Sequence, residues 1–303
     1  SLMNDEIEDT FEGYEKISKL GSGSYGSVYQ YRCIATNKIV AIKTNFLDQN
    51  EEGLTKFTLR ELSILKQIKH PALIEVKDII INGKKICFVY DYYRYNLGVL
   101  FNQKNLDPRL IKSYSFQMLS GLNYLHSHSI MHRDLKLDNI LIDKDGHLKI
   151  IDFGLSRYFT LPLKRYSGGL CTFCYQPPEI TVGNGFYDPG IDIWAAGCII
   201  IALVNHKFLF KADSQIELIH KILDVFGKPN EDICKFYTGL QKIDLSNYKE
   251  INEPHLIDTD DLYLKDLISR MLCFDFRKRI TAKEALQHPY FDSIPDWMRD
   301  AYS

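Results

Sequence analysis

The chain lacks a hydrophobic run long enough to cross a bilayer. Its longest, Ile193–Val204, falls well short of the about 20 residues a membrane-spanning helix needs, and reads as a buried helix. It lacks an excess of charge: 37 Lys and Arg stand against 39 Asp and Glu, for a formal net charge of −2. A general nucleic-acid binder would ordinarily carry a basic excess. It lacks a secretory opening, because residues 4 to 12 are strongly acidic, the reverse of a signal peptide. It lacks the cysteine pattern of a disulfide framework or a zinc site. The seven cysteines are odd in number and scattered. Only Cys171 and Cys174 stand close, with no second pair to complete four ligands. Reduced thiols are expected, a redox pair at Cys171 and Cys174 being the alternative. Internal repeats, low-complexity tracts and the Walker phosphate loop Gly-x-x-x-x-Gly-Lys-Ser/Thr are absent too. These absences predict an intracellular protein of the cytoplasm and/or nucleus, with neither a membrane nor a nucleic-acid partner.

What is present is a change of period along the chain. Tyr14–Leu20, Ser27–Ile34 and Ile39–Thr44 are short β-rich runs separated by Gly-rich or Asn-Lys turns. Leu54–Ile68 steps at helical spacing, with Arg60, Glu61 and Lys66 between its apolar residues, until His70-Pro71 stops it. Leu73–Ile81 and Lys85–Tyr90 flank Asn82-Gly83, a hairpin signal. After about residue 95 the pattern turns helical: Ile111, Tyr114, Met118, Leu122 and Leu125 form one buried face. Two short strands, Ile140–Ile142 and Leu148–Ile151, surround the Asp145-Gly146 turn. Residues 154–187 show no clear period and read as a long functional loop. Helices are expected again at Gly190–Val204, Ser214–Phe226, Asp261–Cys273 and Thr281–Leu286. The expected fold is α+β: a small antiparallel-sheet lobe with one long helix, then a larger, mainly helical lobe, joined near Asp91–Tyr95. A cleft between two lobes is a common place for a ligand.

Four stretches carry chemistry. Gly21-Ser22-Gly23-Ser24-Tyr25-Gly26 lies between two strands, not before a helix as in a dinucleotide fold. Its backbone N–H groups could cover phosphates, although alone it equally suits a plain hairpin. Lys43 sits in the apolar strand Val40-Ala41-Ile42-Lys43, where its charge needs a partner; Glu61 on the following helix is the candidate. The third stretch is His132-Arg-Asp-Leu-Lys-Leu-Asp-Asn139, and the fourth Asp152-Phe-Gly154. Asp134 can accept a hydroxyl proton, and Lys136 can neutralise a transferring phosphate. Asn139 and Asp152 offer the oxygen ligands Mg²⁺ prefers. Phosphoryl transfer needs mainly positioning, plus cations where negative charge moves.

In this order the motifs resemble a eukaryotic protein kinase of the serine/threonine type. The likeness covers residues 14–291, with 1–13 as an N-terminal extension and 292–303 as a C-terminal tail. It implies a small lobe at 14–90, a hinge at 91–95 and a large lobe at 96–291. It implies ATP and Mg²⁺ as cofactors, with Asp134, Lys136, Lys43, Glu61 and Thr172 as catalytic residues and Asn139 and Asp152 on the metal. ATP would lie at Gly21–Gly26, with Val28, Ala41, Lys43 and Leu141 around it. Tyr90 would stand behind the adenine, and the Asp91–Tyr93 backbone would bond to it. Pro177-Pro178-Glu179 stands where Ala-Pro-Glu is usual, and Glu179 is expected to pair with Arg279. Lys136 and Thr172 favour the serine/threonine branch over the tyrosine branch.

The segment Asp152–Ile180 is similar to the activation segment of cyclin-dependent kinases. Phe208-Leu-Phe-Lys-Ala-Asp-Ser-Gln-Ile and Asp275-Phe-Arg-Lys-Arg-Ile are shared with that group and the mitogen-activated kinases. The resemblance implies regulation at Ser167, whose phosphate would be bridged by Arg60, Arg133 and Arg157, and inhibitory phosphorylation at Ser24 or Tyr25. It implies a protein substrate, a cyclin-type activator and an activating kinase, with the isolated chain a monomer. One segment and two single positions depart from the pattern. Thr55-Lys-Phe-Thr-Leu-Arg-Glu61 replaces the usual partner-binding helix, Gln176 replaces an arginine and Cys174 a tryptophan. A related kinase needing no cyclin, or an ATP-binding pseudokinase scaffold, are the alternatives.

Overall fold

The computed structural model describes residues 11–23, 26–45, 56–82, 85–103, 106–159 and 173–303. It divides into two compact units: 1–69 with 74–94, and 70–73 with 95–303. The first holds a five-stranded antiparallel sheet of order β1-β2-β3-β5-β4. Its strands are β1 (Tyr14–Gly23), β2 (Gly26–Cys33), β3 (Ile39–Asn45), β4 (Val76–Asn82) and β5 (Lys85–Asp91). The helix of this unit is α1 (Lys56–Leu65). Alternation sorts β3 cleanly: Val40 and Ile42 pack with Phe11, Tyr31, Cys87 and Val89 in one core cluster, so odd-numbered residues face the other way.

β4 begins three residues later than the alternation from Leu73 predicts. Leu73 is instead taken by the second unit, where it makes a parallel bridge to Ile150. There the short pairs β6 (Tyr95–Asn96), β8 (Ile140–Ile142) and β9 (Leu148–Ile150) form a three-stranded sheet. β7 (Ile130–Met131) pairs with β10 (Arg157–Tyr158). The helices are α2 (Leu97–Phe101), α3 (Pro108–Ser127), α4 (Pro178–Thr181), α5 (Gly190–Asn205), α6 (Gln215–Phe226), α7 (Glu231–Phe236), α8 (Leu262–Met271), α9 (Ala282–Leu286) and α10 (Asp296–Ala301). α5 is apolar all round and buried from Ile191 to Leu203. No helix among the described residues is long and apolar enough to cross a membrane.

The aperiodic stretch 154–187 is not uniformly loop. It contains β10, a 3-10 turn at Phe173–Tyr175 and α4; such short elements leave too few residues for a period to register. Residues 292–303 are anchored at their end, because Tyr302 is 3% exposed. Its hydroxyl donates to Gln117 Oε1 at 2.8 Å and also meets His147 Nδ1 at 2.9 Å. Its carbonyl accepts from Ser120 Oγ and from His70 Nε2. The six described cysteines, Cys174 among them, are free thiols; Cys171 lies outside the described residues.

Candidate active site

In the first unit the glycine run is the tip of a hairpin. β1 and β2 stay paired through Ser22 opposite Ser27 and Gly23 opposite Gly26, with Ser24 and Tyr25 outside the described residues. Gly26 admits no side chain, since a Cβ there would lie 2.2 Å from the Thr44 carbonyl oxygen. Register pairs Val28 with Lys43 and Ala41 with Tyr90. Paired residues project to one face, so these four candidates share the face turned away from the Val40 and Ile42 core. Lys43 Nζ donates to Glu61 Oε1 at 2.7 Å, with the Glu61 side chain 3% exposed. A carboxylate so buried needs a cation and hydrogen bonds to stay ionised at tolerable cost. Arg60 stands beside it on α1, half-buried. Asp91 closes β5 with its carboxylate 3.3 Å from Lys77 Nζ, and Tyr93 is half-buried two residues on.

In the second unit β7 delivers the chain into His132-Arg133-Asp134. Arg133 and Asp152 both hold positive φ, 73° and 67°, a costly conformation for residues with a Cβ. Asp192, near the start of α5, stabilises the first of these bends. Its carboxylate accepts the backbone N–H of His132 at 2.9 Å and of Arg133 at 2.8 Å, and His126 Nε2 lies 2.9 Å away. Burial pushes the Asp192 carboxyl up, but the hydrogen bond from His126, the nearby histidine rings and the Arg133 backbone N–H outweigh it and hold it below the usual range. His132 donates from Nε2 to the Ile151 carbonyl at 2.9 Å and accepts the Asp134 N–H on Nδ1 at 3.3 Å. Those two bonds require the Nε2–H tautomer, and they tie the loop to the strand that leads into Asp152.

Asp134 is 6% exposed. Its Oδ2 accepts from Asn139 Nδ2 at 3.0 Å and lies 3.1 Å from Lys136 Nζ. Burial pushes its carboxyl above the usual range, against the pull of the Lys136 ammonium. The Asn139 amide also donates to the Asp134 carbonyl at 2.8 Å. Nδ2 therefore makes both of its bonds to Asp134, and Oδ1 is the amide's remaining oxygen donor. Asn139 Oδ1 and the Asp152 carboxylate are hard oxygen ligands of the kind Mg²⁺ takes. Among the described residues no group of three or more His, Cys, Asp or Glu side chains could hold a metal by itself.

Several further candidates fall in this unit. Leu141 lies in β8, half-buried opposite Lys149. Arg157 pairs by backbone with Met131, close to Arg133 in the chain path. Arg133 donates from Nη1 to the Leu155 carbonyl at 3.3 Å and lies over the Tyr187 ring. Ser167 and Thr172 are outside the described residues. Glu179 and Arg279 form a bidentate pair, 2.5 and 3.1 Å, with both side chains at most 1% exposed. Sequence reasoning missed His126 and Asn45. His126 sits among the α3 polar positions with no motif to mark it, and Asn45 follows the lysine strand with only its β-poor residue type as a signal.

A comparison with family models matches residues 14–291 to the protein kinase domain. Domains of this kind generally work with ATP and Mg²⁺ and act on proteins. The match takes in nearly all of the sequence and residues of both structural units, and the chain accordingly belongs to the protein kinase family.

Proposed function

We propose that the chain is an ATP- and Mg²⁺-dependent serine/threonine kinase resembling the cyclin-dependent kinases. The observation that carries this reading is Asp134: a buried carboxylate held by Lys136 and Asn139, on a loop whose left-handed bend is capped by Asp192. Asp134 orients the substrate hydroxyl and accepts its proton, and Lys136 steadies the γ-phosphate. Lys43, fixed by Glu61, positions the other phosphates below Gly21–Gly26. Asn139 and Asp152 hold Mg²⁺, which when bound neutralises phosphate charge. Val28, Ala41, Tyr90, Leu141 and the Asp91–Tyr93 backbone accommodate adenine. Thr172 braces Asp134 and Lys136. Lys136 and Thr172 support serine and threonine over tyrosine as acceptors. Phosphorylation of Ser167, read by Arg60, Arg133 and Arg157, and a cyclin-type partner raise activity, whereas phosphorylation at Ser24 or Tyr25 lowers it.

Gln176 bears on the choice of target. It is fully buried, and among the described residues neither polar atom of its amide has a hydrogen-bond partner, where the resembled kinases carry an arginine that favours proline after the acceptor. Transfer of labelled phosphate from ATP to paired Ser-Pro and Ser-Ala peptides tests the reading. The chain is assayed alone, with a panel of cyclins, and as Ser167→Ala with its activating kinase. Cyclin-dependent transfer is expected; a preference for Ser-Pro would support the cyclin-dependent type despite Gln176, and equal use of Ser-Ala would make Gln176 and Cys174 the cause. Transfer that needs no cyclin would place the chain with the related kinases outside the cyclin-dependent group. ATP binding with no transfer under any condition would refute the enzyme reading and leave a scaffold.

A further inference from the structure

Asn45 is the last residue of β3, two positions beyond Lys43 and opposite Gly26. Two-residue spacing puts it on the Lys43 face of the sheet. On that face Ile39, Ala41 and Lys43 are half-buried, but Asn45 is 2% exposed. An amide is a poor strand residue and a costly one to bury. Among the described residues its side chain makes one hydrogen bond, from Nδ2 to Glu61 Oε2 at 3.4 Å. Lys43 holds the other oxygen of the same carboxylate at 2.7 Å.

The amide has a single workable orientation. Reversed, it would set Oδ1 against a carboxylate oxygen. As it stands, Oδ1 is buried with no hydrogen-bond partner among the described residues. Leaving a buried acceptor unpaired costs about 1–3 kcal/mol, which an apolar residue of the same size would avoid. A sequence that tolerates this breaks a local rule where a functional group depends on it.

We infer that Asn45 is a positioning residue for phosphoryl transfer: it holds Glu61 Oε2 so that the carboxylate cannot pivot about its contact with Lys43. One tether at Oε1 leaves the carboxylate free to rotate; a second at Oε2 fixes its plane. The direction of the Lys43 ammonium's remaining two N–H bonds is fixed with it. Asn45 touches neither phosphate nor acceptor and acts only through Glu61. This inference rests on the reading of Lys43 and Glu61 as the phosphate-positioning pair.

The test is a double-mutant cycle read as ATP dissociation constant and as kcat and KM. Asn45→Leu keeps the branched shape and the number of side-chain heavy atoms, removes the tether and removes the unpaired acceptor; Asn45→Ala serves as a second variant should the larger leucine overpack. The expected result is an unchanged or higher melting temperature with ATP affinity and kcat/KM lowered about threefold to tenfold, the scale of one ordinary hydrogen bond, as suits a contact of 3.4 Å. In a Glu61→Ala background the same replacement should change ATP affinity by less than about twofold, because no carboxylate remains to hold. Equal loss in both backgrounds, or a loss that follows the melting temperature, would make Asn45 merely structural and overturn the inference. So would no loss at all in the wild-type background. Should Lys43→Met and Glu61→Ala themselves leave ATP affinity and activity intact, the underlying site reading fails instead.

Discussion

Replacing Asp134 by Asn changes one atom in shape and removes one charge. In the native loop Oδ2 of Asp134 receives Asn139 Nδ2 and faces Lys136 Nζ. An asparagine can keep the Asn139 bond through its own carbonyl oxygen, so the loop held by Asp192 has no reason to move. On the proposed reading what is lost is the proton acceptor, together with the counter-charge to Lys136. A positioned general base contributes about 10²- to 10⁴-fold, which at 1.36 kcal/mol per tenfold is about 3–5 kcal/mol of barrier. Stability moves the other way. Burial raises the native Asp134 carboxyl, so the ionised form opposes folding at neutral pH, and a neutral amide relieves that burden. The variant should thus lose phosphate transfer, keep ATP affinity within a few-fold, and melt no lower than the parent. Radiolabel transfer, nucleotide titration and a thermal melt together check this. More than a tenth of the parent's transfer rate would refute the role of Asp134 as base. Lost transfer with an equally lowered melting temperature would refute the claim that the loop is held independently of the charge.

Two further predictions rest on the second unit. Glu179→Gln leaves Arg279 as an unpaired charge at a site where neither side chain is more than 1% exposed. It should destabilise the chain by about 3–5 kcal/mol, read as the urea midpoint; a change below 1 kcal/mol would show that the Gly190 and Cys273 carbonyls suffice for Arg279. His70 is buried, which lowers its affinity for a proton; the Tyr302 carbonyl opposes the shift and Lys149 adds to it. The unfolded chain therefore binds this proton more readily than the native one, and stability falls as pH drops below about 6.5, levelling once native His70 titrates. His70→Gln should flatten that slope between pH 7 and 5, and an unaltered slope would refute the assignment.

Much of the sheet was legible because its information is local. Strand period, the glycine run and the Asn82-Gly83 hairpin depend on neighbours in the chain, and β1, β2, β3 and β5 lie where those signals put them. Leu73 was not legible, since its bridge to Ile150 is a tertiary choice that overrides alternation. The Lys43–Glu61 contact could be anticipated from charge in an apolar strand, since a buried charge demands a partner. Nothing local marks His126 as the neighbour of Asp192, or Asn45 as a second hold on Glu61. Both follow only when residues 66 and 16 positions apart are brought together by the fold.

The alternation of β3 also limits how this sequence can drift. Lys43 and Ile42 point to opposite faces, so inserting or deleting a single residue upstream within the strand would exchange them. The ammonium would turn to the apolar cluster and the isoleucine to the face that carries the Glu61 contact. Substitution can explore every position of the strand one at a time, but length cannot change there without losing both faces at once. The turn between β2 and β3, where Asn37 already holds a φ of 54°, carries no such parity. Length variation among descendants of this gene should therefore collect in the turns and be absent from β3, leaving the strand a fixed ruler.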